Sequence, residues 1–191
     1  MLTNLAPQSR RLALREFTAP LDWAGTALSL RQLLSLPKGD RRPIILAHGF
    51  LTDKWSMRPL RSFLCHLNYD AVDWNLGRNL GNVDEDIVGL GKQSLELCRQ
   101  QSALVTLIGW SLGGVICREV ARLFPDCVKE VITLGTPISG GPKYTGPGRR
   151  YARLKNIDLD AFELQVLERN KQGFEQPITV LFSRRDGVVG W

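Results

Sequence analysis

With 191 residues, 43% of them hydrophobic and 23% charged, the chain is long enough to bury the core of one globular domain. It has no apolar run of transmembrane length, and its net charge of +6 comes from scattered basic pairs without interleaved aromatics. This pattern argues against a nucleic-acid-binding protein and favours a solvated basic surface, with membrane contact at most peripheral. The four cysteines lack metal-ligand spacing and no secretory signal is evident, so we expect no metal, no cofactor, reduced thiols and a cytoplasmic location.

The first half of the chain predicts helices that alternate with buried strands. An N-terminal helical segment is expected within residues 1–42, with apolar side chains at helical spacing over 9–36. A strand at 43–50 is apolar without polar alternation, as in the middle of a parallel sheet. Further along we expect a helix capped by Ser56, a strand at 69–74, and a helix that starts with a capping box formed by Asn82 and Glu85.

The second half continues the alternation. A strand from Leu104 leads into a helix that Pro125 ends, and a further strand covers Val128–Leu134. Residues 138–157 are rich in glycine, proline and basic residues and predict a loop. A helix with Asp158 and Asp160 as capping acids follows, and then a strand at 177–182. We therefore expect one α/β domain with a parallel, doubly wound sheet, in which 138–176 is a small lid-like excursion.

The segment Gly109-Trp110-Ser111-Leu112-Gly113 lies between a predicted strand and a predicted helix. This is the G-x-S-x-G pattern of a nucleophile elbow, a turn so tight that the serine adopts a strained backbone conformation. Small residues are needed on both sides of the serine because side chains there would collide with the strand and the helix. The pattern predicts Ser111 as a nucleophile, although a glycine-rich turn without chemistry would carry the same letters.

Other polar groups fall at the carboxyl ends of predicted strands, where ligands bind in such sheets. The backbone N–H groups of Leu112 and Phe50 are the candidate donors to an oxyanion beside Ser111, and Gly49 would let the second donor approach. Asp186 is the candidate acid that orients a histidine, although an Asp-Gly turn explains it equally well in isolation.

The general base is the difficulty. The only histidines, His48 and His66, both precede Ser111 in the chain. His66 is expected on a helix surface, and His48 is expected to brace the loop that carries Phe50. A hydrolase of this kind has its histidine after the acid, and the chain has no histidine after Asp186.

In these segments the sequence resembles the α/β-hydrolase superfamily, specifically its small bacterial-type esterases and lipases. The matching segments, which span residues 43–191 in the family's order, are His48-Gly49-Phe50, Asn75–Asn79, Gly109–Gly114, Leu134–Pro137 and Ser183–Trp191. The resemblance implies Ser111 as nucleophile, Asp186 as triad acid and Phe50 and Leu112 as oxyanion donors. It also implies a final strand, a catalytic histidine and a closing helix that the sequence lacks, so we expect a C-terminally incomplete member.

Three functions remain open at this stage. The first is hydrolysis of a small-molecule ester or lipid through an acyl-enzyme, with the histidine absent from the chain and activity correspondingly low. The second is acyl transfer at the same site, and the third is a binding protein that keeps the fold without turnover. Oligomeric state and the identity of the ester are not encoded in any pattern that we recognise.

Overall fold

The computed structural model describes residues 29–139, 141–183, 186 and 188. Most of the predicted N-terminal helix lies outside these residues, and its end is helix α1, Leu30–Leu34. The described residues fall into two compact units. Residues 29–136 and 174–181 form the larger one, and 137–173 belong to the smaller one together with 182, 183, 186 and 188.

The larger unit is built on a five-stranded parallel sheet in the order β2-β1-β3-β4-β5. Its strands are β1 Pro43–Ala47, β2 Asp70–Asp73, β3 Val105–Trp110, β4 Val128–Leu134 and β5 Ile178–Leu181. The predicted α/β class, parallel pairing and strand positions are confirmed. The register places Ala47 opposite Gly109 and Trp110 opposite Leu134, so β1, β3 and β4 end at the same edge.

Helices of the larger unit cover both faces of this sheet. They are α2 Arg58–His66, α3 Val83–Gln101 and α4 Leu112–Leu123, with 3₁₀ turns at Lys54–Met57 and Pro125–Cys127. Ile45 packs with residues of α3 and α4, whereas Ile44 and Leu46 pack with Met57 and the apolar side of α2. Alternate residues of β1 thus enter different clusters, which explains why its sequence is uninterruptedly apolar. None of the helices in the described ranges is long and apolar enough to cross a membrane.

Two predicted helix caps differ from the structure. Ser56 does not cap a helix: Asp53 caps the 3₁₀ turn by accepting from the Trp55 N–H, and α2 begins only at Arg58. Asn82 does precede α3, but the capping box is wrong, because its side chain makes no capping bond to the helix backbone. Instead the Asn82 amide donates to the Glu85 carboxylate at 3.2 Å.

The smaller unit is helical where the sequence predicted a loop. It contains a 3₁₀ turn at Gly141–Tyr144, helix α5 at Gly148–Lys155 and helix α6 at Leu159–Asn170. The loop prediction for 138–157 was wrong because Pro147 and Gly148 stand at the start of α5, where such residues interrupt no hydrogen bond. Tyr151 and Ala152 of α5 are buried. Asp158 caps α6 as predicted, accepting from the N–H groups of Asp160 and Ala161.

Candidate active site

Ser111 stands in a sharp turn between the end of β3 and the start of α4. Its backbone has φ +52° and ψ −120°, a positive φ that side-chain-bearing residues rarely adopt. The turn is fixed on both sides: the Ser111 N–H donates to the Leu134 carbonyl at 2.9 Å, and the Gly114 N–H donates to the Ser111 carbonyl at 3.0 Å. The half-buried serine is therefore held in the strained conformation that the G-x-S-x-G pattern predicts.

Close backbone approaches explain the glycines around the serine. A Cβ atom on Gly109 would overlap the backbone of Gly114, and one on Gly113 would overlap the carbonyl of Ala47 at the end of β1. Glycine at these two positions lets α4 start directly against β1 and β3. As a result, the N-terminal turn of α4, whose first N–H groups have no partner within the helix, lies beside the end of β1.

The loop after β1 lies beside Ser111. A Cβ atom on Gly49 would be 3.3 Å from Ser111 Cβ and 3.3 Å from the Trp110 ring. Leu112 is the first residue of α4, and Phe50 is the residue after Gly49; both are half-buried. The larger unit thus brings together Ser111 and the chain segments of both predicted oxyanion donors.

His48 is engaged within two loops. Its side chain is 1% exposed, and its Nε2 lies 3.0 Å from the Gly77 carbonyl, which can only accept, so Nε2 carries the proton. Its Nδ1 lies 3.3 Å from Thr52 Oγ1, and its ring packs edge-on against Trp74 at 4.7 Å. Burial lowers the pKa of His48 below its ordinary value. The buried ring with these contacts braces the loop, as predicted.

His66 lies on the exposed side of α2. Its Nε2 is 3.3 Å from Lys38 Nζ, and Lys38 also donates to the His66 carbonyl at 2.7 Å. The expectation of a surface histidine is confirmed.

Asn79 is a positioning residue that the sequence analysis did not assign. It is fully buried, and its side-chain amide donates to the His48 carbonyl at 2.9 Å. Its backbone pairs with the neighbouring loop, accepting from Leu51 at 2.7 Å and donating to Thr52 at 3.0 Å. The sequence feature that could have indicated this role is a polar residue between Gly77 and Gly81 in the loop after β2. Asn79 fixes the segment that carries Gly49 and Phe50.

Asp186 belongs to the smaller unit. Its Oδ1 accepts from the Val188 N–H at 2.7 Å, and its own N–H donates to the Ser183 carbonyl at 3.0 Å. This is the geometry of an aspartate-initiated turn. The role of Asp186 as triad acid stays a prediction.

No group of three or more His, Cys, Asp or Glu side chains within the described part of the chain could hold a metal ion. All four cysteines are free, and burial raises the pKa of Cys117 and raises that of Cys127 to about 11. These two thiols are correspondingly poor nucleophiles.

No family model matches the sequence. The chain is 33% identical over 111 residues to the biotin biosynthesis bifunctional protein BioHC of Teredinibacter turnerae, a match that covers 52% of this chain and 18% of that protein. The chain therefore spans about a fifth of that relative's length.

Two solved lipases are among the structures similar to this chain. The mature form of Bacillus licheniformis lipase BlEst2 is 15% identical, with a TM-score of 0.54 over 76% of this chain and 67% of that one. Aspergillus fumigatus lipase B is 18% identical, with a TM-score of 0.47 over 52% of this chain and 25% of that one. The first likeness shows a shared fold.

Proposed function

The chain has the α/β-hydrolase fold, and from that premise we propose that it is a serine hydrolase that cleaves carboxylic esters through an acyl-enzyme at Ser111. The observation that carries the proposal is the backbone of Ser111, which keeps a φ of +52° at the junction of β3 and α4. Such strain persists where the surrounding structure fixes it, and it clusters at active sites. The turn lifts the serine above the strand end, where an ester carbonyl could approach it.

Two backbone donors would stabilise the tetrahedral intermediate. The Leu112 N–H is the first of helix α4, so it has no hydrogen-bond acceptor within the helix. The helix dipole favours a developing negative charge at this end of α4. The Phe50 N–H is the second candidate because Gly49 packs against the Cβ atom of Ser111. Asn79 would support the Phe50 donor indirectly by holding the loop after β1 in place.

Asp186 and a histidine would complete the triad, with the aspartate orienting the ring and the ring taking the serine proton. The assignment of Asp186 rests on its place in the chain after β5. His48 does not suit the role of base, because its Nε2–H is committed to Gly77 and its pKa is depressed by burial. Residues 1–191 therefore supply the nucleophile and the oxyanion donors, but they lack a histidine placed to act as base.

Labelling with a fluorophosphonate tests the nucleophile directly. We expect slow covalent labelling of the native chain, located at Ser111 by mass spectrometry of its peptides, and none in Ser111→Ala. Ser94, which is buried and donates to the Leu90 carbonyl, provides the internal control and should stay unlabelled. Equal labelling of Ser111→Ala, or labelling of the native chain elsewhere, would overturn the proposal.

A binding protein without turnover is the second candidate, and the partners of His48 are the observation that favours it. Such a protein would bind an ester or lipid at the same strand ends without forming an acyl-enzyme. Binding of a nonhydrolysable ester analogue, together with no labelling of Ser111, would support this second function. Acyl transfer to an alcohol would use the residues proposed for hydrolysis.

A further inference from the structure

An apolar surface follows directly on the loop that carries Phe50. The Trp55 side chain is 60% exposed and Leu80 is 53% exposed. The two residues belong to neighbouring loops, because Asn79, next to Leu80, donates its N–H to the Thr52 carbonyl at 3.0 Å. Tryptophan is enriched at sites where proteins bind partners, because burial of its large apolar ring is favourable.

Two cations lie near the Trp55 ring. The Arg58 guanidinium lies 4.8 Å from the centre of the Trp55 ring, and Lys54 Nζ lies 6.0 Å from it. Arg78, which precedes Asn79, is exposed and donates from Nε to the Leu51 carbonyl at 2.9 Å. We call Lys54, Trp55, Arg58, Arg78 and Leu80 the Trp55 platform. Asp53, which caps the turn, is the acidic residue within residues 52–58, so on this turn the positive charges of Lys54 and Arg58 outnumber the negative charge.

Hydrogen bonds hold the loops of the platform in place. Ser56 Oγ donates to the Asp53 carbonyl at 2.7 Å, and Thr52 Oγ1 donates to the Gly49 carbonyl at 2.7 Å. The Leu51 N–H donates to the Asn79 carbonyl at 2.7 Å, which joins the two loops. Trp55 is thus presented by a short capped turn, so a partner that buries it need not order a flexible loop.

From this combination we propose that the Trp55 platform docks the protein on an anionic lipid surface. A tryptophan ring settles at the level of lipid headgroups, where its apolar body and its N–H are both satisfied. Lysine and arginine beside it are attracted to anionic headgroups. An acidic protein would also attract the cations, but the exposed Trp55 and Leu80 favour a lipid surface, which accepts apolar side chains without shaped pockets.

The use of this surface rests on the proposed function. Trp55 comes five residues after Phe50 along a loop that packs against Ser111. A bilayer that takes up Trp55 would therefore lie close to the proposed oxyanion donors. The substrate class implied is an ester held in an anionic membrane rather than a freely dissolved one.

Sedimentation with lipid vesicles tests the proposal on the full 191-residue chain. We expect partitioning into vesicles of phosphatidylcholine and phosphatidylserine, much less into phosphatidylcholine alone, and a decrease as salt is added. Lys54→Gln with Arg58→Gln should lower the partition constant about 25-fold, at roughly fivefold for each cation near the surface. Trp55→Ala should lower it by about tenfold or more, because a buried aromatic side chain is lost from the interface.

The matched control removes the same charge at the opposite end of the sheet. Arg41 and Lys129 are exposed and stand at the amino ends of β1 and β4, so Arg41→Gln with Lys129→Gln should change partitioning less than about twofold. An equal loss in both double variants would overturn the proposal, as would binding to heparin without binding to vesicles. Ser111→Ala should partition like the native chain, so failure of the proposed hydrolysis and failure of docking remain distinguishable.

Discussion

At the scale of single residues, the strained conformation of Ser111 depends on glycine at positions 109 and 113. Both Gly109 and Gly113 face backbone atoms where a Cβ atom would have to sit, and backbone cannot yield as a flexible side chain can. Ser111 itself contributes strain that the hydrogen bonds of its neighbours must hold. The glycines are therefore required by geometry, independently of any chemistry at the serine.

Gly113→Ala should destabilise the fold by about 1–3 kcal/mol, because the new methyl group forces α4 away from β1. Urea denaturation followed by circular dichroism measures the change. Gly173→Ala is the control: it has open space around the Cβ position and no positive φ, so its unfolding free energy should stay within about 0.5 kcal/mol of the native value. A neutral Gly113→Ala would show that the turn is not as tight as described.

The buried His48 predicts a pH dependence of stability. Burial lowers its folded-state pKa below the ordinary 6.5, so the unfolded chain binds the proton more tightly. The stabilisation is complete above the ordinary value and is lost as the pH falls through 6.5 towards the lower folded pKa. Urea titrations from neutral to mildly acidic pH should show this decline, and it should be weaker in His48→Gln. The control variant His66→Gln, at an exposed histidine, should retain the native slope.

At the scale of elements, the strands and helices of the larger unit lie close to where the sequence predicts them. The apolar runs of β1 and β3 predict strands covered on both faces, and the apolar clusters of Ile44 and Ile45 explain why. Caps were harder to predict, because Asp53, Ser56 and Asn82 all carry suitable side chains, and of these three only Asp53 accepts from a backbone N–H at the start of a helical turn. The helix α5 was missed because glycine and proline at its start look like loop residues when the helix bounds are unknown.

A polar cluster joins two elements of the smaller unit. Lys143 Nζ lies 2.6 Å from both Asp160 and Glu163, and the Tyr144 hydroxyl donates to Glu163 at 2.8 Å. Hydrogen bonds from Lys143 and Tyr144 lower the pKa of Glu163. The cluster joins the 3₁₀ turn at Gly141–Tyr144 to α6, so its loss should loosen that connection. Whether residues 138–176 act as a lid stays a prediction.

Glu163→Ala removes the carboxylate that accepts from both Lys143 and Tyr144. It should raise the rate of limited proteolysis within 141–170 several-fold. These contacts lie near the surface, where solvent screens them, so we expect the effect to be confined to local opening of the smaller unit. Glu168→Ala, whose contact with Lys171 is more exposed, removes an ion pair of the same kind from the same helix and should leave the rate unchanged. Equal acceleration in both variants would mean that the Lys143 cluster has no special role.

At the scale of the whole molecule, the fold was predictable because strands, turns and helices alternate with clear punctuation. The nucleophile was predictable for the same reason, since a strand, two glycines and a helix must surround such a serine. The loop-bracing role of Asn79 depends on a contact across 31 residues, which no local pattern encodes. The role of Asp186 as triad acid stays a prediction, because its contact with the Val188 N–H is that of a turn residue and does not test the role. The cytoplasmic location also stays a prediction.

The central claim is that Ser111 is a nucleophile beside two oxyanion donors, and that residues 1–191 provide no base for it. Hydrolysis of a short-chain aryl ester by the chain, with and without added imidazole, measures this most directly. We predict turnover limited to about 10³–10⁴-fold over water without imidazole. Added imidazole should raise it by supplying the missing base.

Ser111→Ala provides the background of imidazole-catalysed hydrolysis and should show no enhancement above it. The account is contradicted if the native chain and Ser111→Ala respond identically to imidazole. It is contradicted equally if the native chain turns over at ordinary enzymatic rates without imidazole, because a base would then exist within residues 1–191.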